Sequence, residues 1–257
     1  MIDHERIWSS PNLPTLPAAA IRLLKLSRDM DAEIREIVKV IKTDPALVAK
    51  ILKSANSSYF GFASHIESIE RAVPLLGTTA VTSLALSFSL AESAMTSGPM
   101  VAHFRDYWLQ SIVQAAAAET VKQHARLGLS CELFLTGLLL DVGQLALLKV
   151  VPKQYRQALL AAREGQRELH LVESELLGAD HVVVGVKLLE KWRLPATLVE
   201  ATRLDRAPLE ESVKHSNAPC YDLVKVGALS SAVGDYFCGA DKASAFERLM
   251  GLTKELY

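Results

Sequence analysis

The sequence predicts an all-α fold, and three observations carry that reading. Apolar residues recur at helical spacing along most of the 257-residue chain. Capping residues stand ahead of several of those stripes, where the first turn of a helix needs acceptors for its free N–H groups. The chain shows neither a repeat, nor a low-complexity tract, nor a run of alternating strands.

The elements follow in order. Ile34, Ile37, Val38 and Ile41 make one apolar stripe, and Asp31 is placed to cap it. Asp44-Pro45 opens the next helix with a capping carboxylate and a proline at the first helical position, where the missing N–H does no harm. Its stripe is Leu47, Val48, Ile51, Leu52 and Ala55, and Asn56-Ser57-Ser58 ends it. A helix from Ser68 stops at Gly77, a residue suited to a left-handed cap. Thr78 or Thr79 can cap the helix over 81–95. Ser97-Gly98-Pro99 is the clearest break and marks a boundary between subdomains 1–97 and 98–257, which together make one module.

A long helix carries Phe104, Trp108, Ile112, Val121 and the alanines 115–118, which suit close helix packing. Leu127-Gly128-Leu129-Ser130 turns the chain. Helices are predicted over 131–140, 143–150, 154–163 and 168–177. Val182-Val183-Val184 is β-prone by propensity. Asp180 can cap it, and Val186, Leu189 and Trp192 continue a helical stripe, so it reads as helix. Residues 204–219 read as a polar loop, and helices over 220–237 and 243–255 close the chain.

Composition narrows the function classes. Half the residues are apolar and 22% are charged, as in a globular chain. At this length roughly 70–75% of the unfolded surface can be buried, so no disulfide or metal is needed for folding. A formal net charge of −1 argues against a non-specific nucleic-acid binder. Cys131, Cys220 and Cys238 show no CxxC spacing and read as buried thiols of a reducing cytoplasm. No apolar leader follows Met1. Residues 80–91 are too few to span a membrane, and 133–151 carry Asp141 near the middle, so both read as core helices and no membrane partner is expected. No GxGxxG, P-loop or GxSxG pattern is present.

Two groups of short motifs carry a family resemblance. The first is Leu13-Pro14 and Leu16-Pro17, then Asp44-Pro45, Ala55-Asn56-Ser57 and Leu76-Gly77. The second is Gly137-Leu138-Leu139-Leu140-Asp141-Val142-Gly143, then Asp180-His181, then Trp192-Arg193-Leu194-Pro195. In order and spacing they resemble the HDOD family, the HD-related output domains of bacterial signalling proteins. The likeness runs over roughly residues 10–240. It implies an N-terminal helical bundle packed on a second bundle like that of the HD phosphohydrolases. Those enzymes bind one or two metals through histidines and aspartates, and the metal activates a water.

Carried over residue by residue, the resemblance implies a degenerate pocket of Gln110, Leu140, Asp141, His181, Arg203 and Asp205. Gln110 stands where the first histidine is expected, and Leu140 replaces the histidine of the His-Asp pair. Asp141 is kept, and His181 matches a later histidine. Arg203-Leu204-Asp205-Arg206 lies where hydrolases often have paired histidines. The distal aspartate should fall at 229–232, which hold only Leu, Ser and Ala; Asp235 comes a few residues later. Asp141 then reads as a helix cap for 143 onward, and His181 as a hydrogen-bonded, half-buried side chain.

His4, His65, His103, His124 and His215 show no HxxxH spacing. Tyr59, Phe60 and Phe62 suit either a partner surface or a plug between helices. Lys149, Lys153, Arg156, Arg163 and Arg167 form a basic strip that reads as a solvated face. The resemblance implies a cytoplasmic regulatory module without metal or other cofactor, acting through signalling proteins. A divergent metal phosphohydrolase and a sensor that binds a nucleotide or cyclic dinucleotide without cleaving it are the alternatives. No nucleic-acid partner is expected.

Overall fold

The computed structural model describes residues 7–27, 29, 31–58, 60–94, 100–125, 133–207 and 218–256. These are helices and their connections, with no strand among the described residues. Residues 15–94 form one compact unit; the described residues from 100 onward, with 7–14, form the other. The expected break at Ser97-Gly98-Pro99 lies outside the described residues, as does the turn 127–130.

The first unit holds α1 (Ala18–Leu26), α2 (Ile34–Lys42), α3 (Pro45–Ala55), α4 (Ile69–Leu76) and α5 (Thr78–Ala94). Its core joins Leu23, Ile37, Ile41, Leu47, Ile51, Ile69, Val73, Val81 and Ala85. Burying one such aliphatic side chain contributes about 1.5–3 kcal/mol. Asp44 caps α3 as expected, accepting from the N–H of Ala46 at 2.9 Å and Leu47 at 3.1 Å. Asp31 does not cap α2: the cap position is Glu33, with no side-chain bond, and the Asp31 N–H instead donates to Asp29. Gly77, at φ 85°, lets α5 leave α4 at 112°. α5 begins at Thr78 itself.

Asn56 explains its motif. Its amide exchanges two bonds with the backbone of Ile66, both at 2.8 Å, and closes the loop between α3 and α4. Phe60 and Phe62 stack within that loop at 6.2 Å, both half-buried, and Phe62 packs on Ala55, Ile66 and Ala72. Tyr59 lies outside the described residues.

The second unit holds α6 (Val101–Ala125), α7 (Leu133–Leu139), α8 (Val142–Val150), α9 (Pro152–Gly165), α10 (Leu169–Leu177), α11 (His181–Lys191), α12 (Ala196–Arg203), α13 (Ala218–Cys238) and α14 (Lys242–Leu256). Asp180 caps α11 through the Val183 N–H at 2.8 Å, so the three valines are helical as expected. Two helices escaped the sequence pattern, α1 and α12. Both start directly after a proline, Pro17 and Pro195, with extended backbone and no side-chain cap. The Trp192 indole donates to the Pro14 carbonyl at 3.3 Å, which ties two of the short motifs together.

α6 runs between α7 and α13, and α8 lies against α11. Glycines set these spacings. A Cβ on Gly137 would fall 2.6 Å from the Gln114 carbonyl of α6, and one on Gly143 only 1.9 Å from the His181 carbonyl. The stretch 133–150 is long and apolar enough to cross a membrane, and 83% of it is buried.

Candidate functional site

Close helix packing brings polar side chains from seven places to one buried point of the second unit. Gln110 and Gln114 lie one turn apart on α6 and point the same way. Asp141 sits in the corner between α7 and α8. Glu173 comes from α10, His181 from the start of α11, Asp205 and Arg206 from the turn after α12, Ser231 and Asp235 from α13, and Arg248 from α14.

Asp141 corrects the expectation of a helix cap. It occupies the cap position of α8 but makes no side-chain capping bond. Its carboxylate turns inward, and one oxygen accepts from the Gln110 amide at 2.9 Å and the Gln114 amide at 2.7 Å. The other lies 3.3 Å from His181 Nε2 and 3.8 Å from the Arg206 guanidinium. Burial pushes this carboxyl up, but His181, Arg206 and Gln114 outweigh it and hold it well below the usual carboxylate range.

His181 is fully buried, not half-buried. Its ring Nδ1 lies 2.5 Å from Glu173, whose carboxylate also accepts the His181 backbone N–H at 2.7 Å. Burial disfavours the charged ring, yet Glu173 and Asp141 together raise its pKa well above the ordinary histidine value. The ring is therefore an imidazolium at neutral pH, held between two carboxylates.

Arg206 is the hub that the sequence reading did not single out. Its guanidinium meets Asp205 at 3.0 Å and pairs with both oxygens of Asp235. Burial disfavours its charge, and Asp235, Asp205 and Asp141 more than restore it. Gln110 also donates to Asp235 at 3.2 Å, so one amide nitrogen bridges Asp141 and Asp235. Asp205 is buried, which raises its pKa, and accepts from Ser231 at 2.9 Å. Arg248 closes the outer side, within 3.3 Å of Asp235 and bonded to the Asp205 carbonyl.

The expected pocket is thus gathered in part. Gln110, Asp141, His181 and Asp205 come together. Leu140 is buried, and its side chain lies beside Gly227. Arg203 is a correction: it is half-exposed and bridges Glu190 and Glu200 on the surface. Asp235, a few residues past the expected position, is in the cluster. Gln114, Glu173, Arg206, Arg248 and His170 were missed. The i, i+4 spacing of Gln110 and Gln114 was the one available signal for the first of these.

A cavity of about 410 Å³ opens above the cluster. Tyr107, Gln110, Tyr155, His181, Arg206 and Asp235 line it together with Arg163, Arg167 and His170. The Tyr107 and Tyr155 side chains are buried, Tyr107 beside Ser111 and Tyr155 beside Glu173. Arg163 and Arg167 belong to the strip expected to be a plain solvated face. Cys238 is half-buried at the rim, not fully buried; Cys131 lies outside the described residues.

The HDOD domain model matches residues 13–208, three quarters of the chain. The chain belongs to the HDOD family. An HDOD domain protein from Geobacter sulfurreducens superposes with a TM-score of 0.80 at 20% identity, over 98% of this chain and 91% of that one. A candidate phosphohydrolase from Shewanella amazonensis SB2B gives 0.71 at 21% identity, over 98% and 93%. A candidate signal-transduction protein from Marinobacter aquaeolei VT8 gives 0.71 at 22%, over 98% and 62%. At these identities the likeness establishes the fold alone. An uncharacterised protein of Treponema pallidum (strain Nichols) is 22% identical over 204 residues, which are 77% of this chain and 39% of that protein. The HDOD chain thus spans about two-fifths of that relative's length. Among the described residues, no three His, Cys, Asp or Glu side chains are grouped to hold a metal ion.

Proposed function

We propose that this chain is a non-catalytic regulatory module of bacterial signalling, working in the cytoplasm by binding other proteins. The observation that carries the reading is the set of donors and cations already facing Asp141. A carboxylate that serves a hydrolytic metal must offer an oxygen to the ion and leave a coordination position for water. Here one Asp141 oxygen takes two amide N–H groups, and the other faces an imidazolium and a guanidinium. Two cations and two amide donors do not make a site for a third cation. The residues present therefore do not fit the metal centre of an HD phosphohydrolase.

The test is direct. Purified protein is dialysed and assayed for transition metals, then incubated with Mn²⁺ and bis(p-nitrophenyl) phosphate or a cyclic dinucleotide. The expected result is substoichiometric metal and no turnover. One or two tightly held metals per chain, or metal-dependent cleavage lost in Asp141→Ala, would sink the reading.

A second reading has its own support. The cavity is lined by Tyr107, Tyr155, Arg163, Arg167 and Arg206, which suits a small polar ligand held without cleavage. A rise in Tm with a nucleotide, proportional to the logarithm of its concentration, favours that sensor.

A further inference from the structure

We propose that the outer face of α14 is a docking surface for a second copy of this chain, the two α14 helices packing antiparallel about a two-fold axis beside Gly251. The inference is independent of what the buried cluster does.

Burial defines the face. α14 lays Ala245 and Leu252 inward, Leu252 against Ala228, Leu229 and Ala232 of α13. Ala243, Phe246, Glu247, Met250, Gly251 and Lys254 are exposed. That spacing is a single helical stripe, and the solvent-facing stripe of a globular helix is ordinarily polar. Here Phe246 is 48% and Met250 43% exposed. The patch continues onto α13: Tyr236 lies 5.8 Å from Phe246 and meets Phe237 edge-on at 5.3 Å, and Phe237 is 65% exposed. Scattered apolar side chains on a surface are normal, whereas a contiguous group of them marks an interaction site.

The two charges on the stripe say what covers it. Glu247 and Lys254 stand two turns apart, about 10 Å along the helix, and do not face each other. Neither pairs with another described residue. An antiparallel copy centred between positions 250 and 251 sets Met250 against the partner's Gly251 and Glu247 against the partner's Lys254. Two-fold symmetry makes each of those pairings twice. Sliding the pair one turn either way sets Lys254 against the partner's Ala243 or the partner's Met250, so charge fixes the register. A Cβ on Gly251 would meet nothing within 4 Å. The chain's own packing therefore does not require glycine there, and its bareness lets two backbones approach closely at the axis.

The area sets the strength. A buried aromatic side chain covers about 150–250 Å², so the exposed parts of Phe237 and Phe246 come to roughly 200 Å², a quarter of the ~800 Å² that a standard interface takes from each partner. With one face of a 15-residue helix added, the contact is of the small, transient class. It touches the cavity indirectly. From the other side of α14, Ser244 donates to Glu168 at 2.8 Å and Arg248 reaches Asp235, and all four residues line the cavity. A second copy would brace that wall.

The full chain is followed by sedimentation velocity from about 1 μM to about 1 mM. The expected result is a monomer–dimer equilibrium. Glu247→Lys and Lys254→Glu each oppose like charges twice and should weaken the dimer about tenfold or more. Mixing the two single variants, or combining both changes in one chain, restores opposite charges and should recover it. Met250→Glu should abolish the dimer while the circular-dichroism melt of the dilute chain stays unchanged. A chain that remains monomeric to about 1 mM, a dimer indifferent to both reversals, or reversals that neither mixing nor combination rescues overturns the inference. None of these outcomes alters the reading of the pocket.

Discussion

Replacing Asp141 tests the buried charge cluster most sharply. The carboxylate is 1% exposed, with two amide donors, an imidazolium at 3.3 Å and a guanidinium at 3.8 Å. At an effective dielectric near 20, each of those charge pairs attracts by about 4 kcal/mol before desolvation is counted. Removing the aspartate takes one of two carboxylates from His181, one of three from Arg206 and the acceptor of Gln114, and breaking a buried pair from one side costs up to about 3–5 kcal/mol. A domain holds only about 5–15 kcal/mol in total. Asp141→Ala should therefore lose a large share of the unfolding free energy in urea. Asp141→Asn should fare little better, because its neutral amide has one acceptor oxygen and sets its own N–H groups against cations or the glutamine donors. A capping role predicts the opposite for asparagine, which is itself a good cap. An Asp141→Asn protein within about 1 kcal/mol of the wild type would refute the cluster account and restore the cap.

Gly143→Ala should be more damaging than a usual glycine change, at the upper end of or beyond the ~1–3 kcal/mol of overpacking, because its Cβ would meet the α11 backbone at 1.9 and 2.6 Å; a Tm equal to the wild type would contradict the close approach of α8 and α11. Arg203→Ala should change stability by less than about 1 kcal/mol, since its pairs are on the surface; a loss comparable with Asp141→Ala would put Arg203 back in the pocket. The pH profile reports the charge on His181. Its folded pKa is raised, so its contribution is complete below about pH 6.5 and is lost as the pH climbs through the folded value. Asp141 is depressed, so its contribution is present above about pH 3.9 and is lost as the pH falls further. Urea midpoints should decline above about pH 6.5 as His181 loses its proton; a midpoint that rises from about pH 6.5 to 8 would mean a buried neutral ring.

Much of the fold is legible because local signals and burial agree. The stripe from Ile34 to Ile41, the Asp44 and Asp180 caps and the Gly77 stop each act within one or two turns of helix. The caps and the stop survive as read, and of the stripe Ile37, Val38 and Ile41 are buried while Ile34 is exposed. α1 and α12 did not show because a proline start leaves no capping oxygen to recognise, and each is short. The site was legible only where a residue stands in line with a known motif, as Gln110, Asp141 and His181 do. Arg206 stood beside Asp205 in the quoted segment, yet Arg203 was chosen for the pocket. Sequence cannot say which of two arginines, three residues apart at the end of a helix, turns inward. The turn after Arg203 decides it: Arg203 remains on the outer face of α12, and Arg206 is carried under α13. Glu173 and Arg248 are harder still, since nothing near them in sequence marks a buried charge. Their roles follow from helix packing alone, as does the inward turn of Asp141 once Gln110 and Gln114 face it.

The cluster adds little to stability as such, because matched apolar residues often serve as well or better than buried ion pairs. What it changes is the number of acceptable packings. Its members come from α6, the α7–α8 corner, α10, α11, the turn after α12, α13 and α14. A slip of any one helix would leave a charge unpaired away from water, at a cost of several kcal/mol. Apolar contacts discriminate far less between registers. Replacing the core of the cluster as a set, with Asp141→Leu, Glu173→Leu, His181→Leu, Arg206→Met and Gln114→Leu, whose amide donates to Asp141, removes charges in equal number and leaves no partner stranded among the five. Asp235 and Asp205 keep Arg248. The variant should retain its helix content and melt near or above the wild-type temperature, yet lose uniqueness: amide cross-peaks from α8, α11 and α13 should broaden or double in NMR spectra. Single sharp peaks with an unchanged Tm would show that the apolar core alone fixes the packing and that the charges are dispensable to it.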